Sequence, residues 1–164
     1  MKPDIQLTLP ARAENIAIVR HVLGAFGEAS TIDAQVLSDV RLAVTEACTN
    51  VVVHAYPEDQ EGPMEVLAEI DDHELNVIVR DRGKGITPRP DSPGLGLGLP
   101  LIASLTESVQ LGRDEQDRTE VQMTFSLSGE HPHDLQAKFI GDSRAADGVL
   151  PADPQQSSSP PLTQ

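Results

Sequence analysis

The chain has 164 residues, enough for one domain with a full hydrophobic core, and a formal net charge of −14. Residues 129–164 hold five acids and two bases, a net of −3, which leaves −11 on residues 1–128; that sign argues against a phosphate-backbone binder and for a basic protein surface as partner. With no Trp, one Tyr and three Phe, the core has to be built from Leu, Ile, Val and Ala, and little is left for stacking bases.

In chain order, Ile5, Leu7 and Leu9 alternate with Gln6 and Thr8, the period of a short half-buried strand. Ile16, Val19, Val22, Leu23 and Phe26 then follow helical spacing, which predicts a helix over residues 14–28 ended by Gly27 and Ser30. Asp33 is a good N-cap for a second helix, whose apolar positions run from Val36 through Val51 until Pro57 forces a stop. The Val51-Val52-Val53 run favours strand by local propensity. The helical period has already run for four turns without Gly or Pro, so the helix is expected to carry these valines too.

Met64, Val66, Ala68 and Ile70 alternate with Glu65, Leu67 and Glu69. After the turn Asp71-Asp72-His73, Leu75, Val77 and Val79 alternate with Glu74, Asn76, Ile78 and Arg80, so the two runs read as a hairpin. Asp81 inherits the inward parity of Val79. Residues 83–98, with five glycines and three prolines, read as a loop, and Pro100 suits the first turn of the helix after it. A short apolar run, Glu107 to Leu111, precedes a charged turn. In the last strand Val121, Met123, Phe125 and Leu127 share one face, with Thr119 at the inward parity of its start. From Gly129 the prolines, the Ser157–Ser159 run and the lack of apolar period read as a disordered tail, a reading favoured over a docking turn formed by Leu135, Phe139 and Ile140.

The order of elements argues for an α/β two-layer sandwich: a mixed, mostly antiparallel sheet with helices on one face, residues 1–128 forming the domain. Its outward face is expected to tolerate water. The second helix places Glu46, Asn50 and His54 at i, i+4 and i+8 along one stripe beside the apolar one. Alone, that stripe equally fits polar residues facing solvent, and Asp81 alone reads as a turn acid before Gly83. In a sandwich, however, the inward strand ends carrying Asp81 and Thr119 lie near Glu46 and Asn50, with the glycine loop able to close over all four.

These groups suit a nucleotide. A buried aspartate accepts the hydrogen bond of an exocyclic amine, Thr119 supports it, and Asn50 offers a hard oxygen to Mg²⁺. Backbone N–H groups of Gly94, Gly96 and Gly98 leading into a helix make a place for phosphates. Glu46 then stands where a carboxylate can orient or deprotonate an attacking hydroxyl. His54 reads as a packing or hydrogen-bonding residue. Cys48 reads as a buried inert thiol, no Cys/His cluster has zinc-site spacing, and neither a membrane span nor a signal peptide is apparent. The chain reads as cytosolic.

Glu46-Ala-x-x-Asn50-x-x-x-His54-Ala-Tyr56, Val79-Arg-Asp81-Arg-Gly83-Lys-Gly85-Ile86 and Gly94-Leu-Gly-Leu-Gly98-Leu-Pro-Leu-Ile102, in that order, resemble the Bergerat ATP-binding fold and, within it, the bacterial serine-kinase anti-sigma factors. The resemblance covers about residues 5–128. It implies Glu46 as catalytic base, Asn50 on Mg²⁺, Asp81 with Gly83 and Gly85 at the adenine, Gly94, Gly96 and Gly98 in a lid, and Thr119 near the adenine. It further implies a homodimer that transfers the γ-phosphoryl of ATP to a Ser or Thr of an antagonist protein and holds a sigma factor. The acidic, proline-rich tail departs from the compact family domain. The alternative is a non-catalytic module that uses ATP as a structural ligand to sequester its partner.

Overall fold

Apolar residues at every second position give five strands: β1 (Ile5–Pro10), β2 (Pro63–Asp71), β3 (Glu74–Asp81), β4 (Ser108–Arg113) and β5 (Thr119–Ser126). The computed structural model describes residues 2–57, 60–84 and 95–128. In it the strands form one sheet of order β1-β2-β3-β5-β4, and every neighbouring pair is antiparallel. The two-layer sandwich is therefore as expected, with the refinement that no parallel pair occurs among the described strands. In the registers of β2, β3 and β5, Val66 faces Val79 and Val79 faces Val121, while Ala68, Val77 and Met123 form the next row. These rows are buried against the helices.

The helical layer consists of α1 (Ala13–Ala29), α2 (Ala34–Asn50) and α3 (Leu95–Leu105). Asp33 caps α2 through a bond from the Gln35 N–H to its carboxylate, 2.8 Å, satisfying one of the donors a helix start leaves open. Val36, Val40, Ala43, Val44 and Ala47 are buried along its inner face. Small residues on α1 let the two helices approach. The Leu37 side chain presses on Gly27, its Cδ1 only 2.5 Å from where a methyl would stand, and the Arg41 guanidinium lies over Gly24.

Two expectations are corrected. The three valines do belong to the helix, but the last turn, Val51–Ala55, is π-helical, a wider turn that often marks a functional site. The glycine loop is also shorter than its composition suggests: Gly96 and Gly98 lie inside α3, and Pro100 is an interior residue of that helix rather than part of its first turn. Gly98 is buried beside Glu46 and Asn50 despite its poor helix propensity, and Pro100 removes one N–H from the intrahelical ladder. The loop reading for residues 85–94 and the tail reading for residues 129–164 lie outside the described residues.

The outward face of the sheet is less polar than its alternation suggests. Leu67 and Ile78 are cross-strand neighbours there and both are buried. Beside them runs a group of ion pairs, Arg118 to Glu65 at 2.8 Å, Arg118 to Asp114 at 2.6 Å and Arg80 to Glu120 at 2.8 Å. Among the described residues no helix is long and apolar enough to cross a membrane.

The core and the exposed edge should respond differently to truncation. Leu23→Ala, at a position only 2% exposed, should cost about 2–5 kcal/mol in urea unfolding. Leu111→Ala, on edge strand β4 at 46% exposure, should stay within about 0.5 kcal/mol of wild type.

Candidate functional site

Three elements converge at one end of the sandwich. Strand β3 ends at Asp81 and β5 begins at Thr119, and the register sets these two residues directly opposite each other on the helix-facing side. Both are buried, at 6% and 5% exposure. From the helical layer, Asn50 and His54 line a narrow cleft together with Ala47, Ala55, Asp81 and Val121. Asn50 is thus brought beside Asp81, as the parity of the strands predicts. His54, read from sequence as a packing residue, also borders the cleft.

Glu46 lies one turn before Asn50 and is half-buried. Gly98 of α3 stands in front of both: a methyl group there would lie 3.5 Å from Glu46 Oε2 and 3.5–3.6 Å from the Asn50 carboxamide. Any longer side chain at position 98 would fill the space between them. Of the other glycines singled out from sequence, Gly83 is in the turn after β3 and Gly96 is in α3, whereas Gly85 and Gly94 are outside the described residues.

The electrostatics of this cleft are those of a place waiting for polar atoms. Asn50 Nδ2 and Thr119 Oγ1 are buried and have no hydrogen-bond partner among the described residues, a state that ordinarily costs about 1–3 kcal/mol per group. Burial pushes the Asp81 carboxyl above the usual aspartate range, offset in part by the Gly83 N–H and by the charge of Arg113. The bond from the Gly83 N–H to Asp81 Oδ1, 2.8 Å, shows that Asp81 is a turn acid as well as an inward-facing one. Burial likewise pushes the Cys48 thiol up to about 12, which leaves it an inert core residue.

The turn after β3 is seated on the end of the helix. The Ala55 carbonyl, last of the π-helical turn, accepts the Lys84 N–H at 2.9 Å, and a methyl group on Gly83 would overlap that same carbonyl. Only glycine permits this approach. Arg113, at the end of β4, donates to the Lys84 carbonyl at 3.3 Å and pairs with Asp117 at 2.7 Å. Neither Arg113 nor the Ala55 carbonyl carries a sequence signal for such a role.

Among the described residues no group of three or more His, Cys, Asp or Glu forms a metal cluster. A cation here would therefore draw on the Asn50 carboxamide and on the oxygens of a bound phosphate, a donor set that suits Mg²⁺, which commonly takes few protein ligands.

Residues 9–125 match the histidine kinase-like ATPase domain, and the chain belongs to that family. It is similar to the serine-protein kinase RsbW of Bacillus thuringiensis (strain Al Hakam), at 30% identity over 68% of this chain and 78% of the relative. RsbW of Bacillus anthracis matches to the same extent. The crystal structure of the RsbU and RsbW domains of Rv1364c from Mycobacterium tuberculosis shares the fold, with a TM-score of 0.60 and 22% identity over 79% of this chain. The match spans 34% of that longer chain.

The raised Asp81 carboxyl gives a signed prediction. The folded state holds this proton more tightly than the unfolded state, so Asp81 costs stability above the folded pKa, and the cost disappears as pH falls to the ordinary aspartate range. Asp81→Asn, whose side-chain oxygen still accepts the Gly83 N–H, should therefore melt no lower than wild type at neutral pH. Thermal melts of the ligand-free proteins should show any gain at neutral pH vanishing near about pH 4.

Proposed function

We propose that this chain is an ATP-dependent serine/threonine protein kinase that acts as an anti-sigma factor, phosphorylating a Ser or Thr of an anti-sigma-factor antagonist. The observation that carries the reading is the orphaned Asn50 Nδ2 in one cleft with the desolvated carboxylate of Asp81, with a second orphaned atom, Thr119 Oγ1, on the residue paired with Asp81 across the sheet. A polar ligand with donors and acceptors at matching places removes all three costs at once. The kinship with the RsbW serine-protein kinases supports the choice of ligand and of reaction.

In this reading the Asp81 carboxylate accepts the exocyclic amine of adenine, Thr119 bonds the same edge directly or through water, and Gly83 and Gly85 line the base. Gly94, Gly96 and Gly98 approach the phosphates, where a side chain at 98 would collide with the ligand. Asn50 holds Mg²⁺, which when bound neutralises charge on the phosphate oxygens. Glu46, on the same side of Gly98 as Asn50, takes the proton from the attacking hydroxyl as its oxygen bonds the γ-phosphorus. The bond from that phosphorus to the β-phosphate bridging oxygen breaks, and ADP leaves.

The kinase domain is residues 1–128, followed by an acidic Pro/Ser-rich tail at 129–164; the family match ending at residue 125 supports this boundary. The −11 charge on the domain favours a basic face on the sigma factor. The protein works in the cytoplasm as a homodimer, where sigma factors and their antagonists are found.

Phosphoryl transfer from labelled ATP to a co-purified antagonist tests the proposal. Glu46→Ala should keep ATP affinity and lower transfer by about 10²- to 10⁴-fold. If wild type and Glu46→Ala both hold the sigma factor and neither phosphorylates any partner, the chain is a binding module rather than a kinase. In calorimetry Asp81→Asn should weaken ATP binding by about 1–3 kcal/mol; equal affinity would remove Asp81 from the site.

A further inference from the structure

Tyr56 follows directly on the π-helical turn, and its hydroxyl joins two segments far apart in sequence. It donates to the Pro63 carbonyl at the start of β2, 2.7 Å, and accepts the Arg82 N–H just past the end of β3, 2.9 Å. The ring lies on Gly62, where a methyl group would overlap it. Burial, with the nearby Asp81 charge adding to it, raises the phenol above its ordinary value despite the Arg82 N–H. The hydroxyl therefore keeps its proton at neutral pH and remains a donor to Pro63.

The turn that follows β3 is thereby fixed residue by residue. Asp81 is set by its pairing with Thr119, the Arg82 N–H by the Tyr56 hydroxyl, the Gly83 N–H by Asp81 Oδ1 and the Lys84 N–H by the Ala55 carbonyl. Oδ1 spends one of its acceptor sites on the Gly83 N–H, which leaves its second lone pair and Oδ2 for a ligand N–H. The direction of the carboxylate depends on where the Gly83 amide stands. That amide lies between two anchored neighbours, and one of the anchors is Tyr56.

We propose that Tyr56 is a positioning residue for the nucleobase end of the site: its hydroxyl holds the Arg82 amide and through it the orientation of the Asp81 carboxylate. The inference rests on the ATP-binding reading above and adds a residue that does not touch the nucleotide. The two hydroxyl bonds of Tyr56 go to Pro63 and to Arg82 of the base-recognising turn, and neither reaches Glu46 or Asn50.

Tyr56→Phe tests this, because it keeps the ring against Gly62 and removes both hydroxyl bonds. Calorimetry should show ATP bound about 5- to 10-fold more weakly, the loss expected for one hydrogen bond's worth of misplacement. In an Asp81→Asn background, where the charged acceptor is already gone, adding Tyr56→Phe should change affinity by less than about twofold. Hydrogen exchange of the Arg82 amide in the ligand-free protein should speed up in Tyr56→Phe. Equal ATP affinity for Tyr56→Phe and wild type overturns the inference while leaving the ATP site standing. A full, additive loss in the Asp81→Asn background also overturns it, since the hydroxyl would then act by loosening the domain generally. Failure of wild type to bind ATP overturns the site reading and this inference with it.

Discussion

The arrangement of the site depends on one contact, the seating of the β3 turn against the last carbonyl of the helical layer. A helix that ended in an ordinary α-turn would satisfy its carbonyls with water or a cap. Here the π-helical turn Val51–Ala55 presents the Ala55 carbonyl to the Lys84 N–H, and Gly83 packs on it with no room for a side chain. That contact ties the strand end bearing Asp81 to the helix bearing Glu46 and Asn50. Core packing already joins the two layers; this contact fixes the end of β3 against the end of the helix.

What the fold holds in place is costly. Orphaned Asn50 and Thr119 atoms and a desolvated Asp81 all oppose folding, and a domain with so few aromatic residues has to recover that cost from aliphatic packing. It does so along the rows Val66, Val79, Val121 and Ala68, Val77, Met123, against Val40, Val44 and Ala47 of α2. The pattern is that of a preorganised binding site: the scaffold carries the unfavourable groups at fixed positions, and a ligand with complementary atoms offsets them. The ion pairs on the outward face, centred on Glu65 and Arg118, brace the β4–β5 turn from the opposite side of the sheet.

Much of this was legible from the amino-acid sequence because it depends on period. The two-residue alternation of β3 and β5 carried Asp81 and Thr119 to the inward face, and the helical period of α2 put Glu46 and Asn50 on one stripe. Features that depend on tertiary contact were not legible. The π-helical turn arises in a valine run whose local propensity points to strand. The early start of α3 at Leu95 runs against the propensity of Gly96 and Gly98, and the close approach of Gly98 to Glu46 and Asn50 is a tertiary contact. Tyr56 and Arg113 act through backbone groups 26 and 29 residues away, a pairing that no short spacing reveals. Leu67 and Ile78 broke the expected outward polarity because they bury each other's flanks in mid-sheet.

The central proposal is that the cleft holding Asn50 and Asp81, with Thr119 paired to Asp81 across the sheet, binds Mg-ATP. Amide and side-chain NMR of the whole chain during an ATP titration in the presence of Mg²⁺ addresses it most directly. The account predicts saturable shifts centred on the amides of Gly83, Lys84 and Gly98 and on the Asn50 side-chain NH₂, which has no partner among the described residues. Saturable shifts centred elsewhere, for instance on Arg20 and Arg41 in the groove between α1 and α2, or no shifts at all, would contradict it.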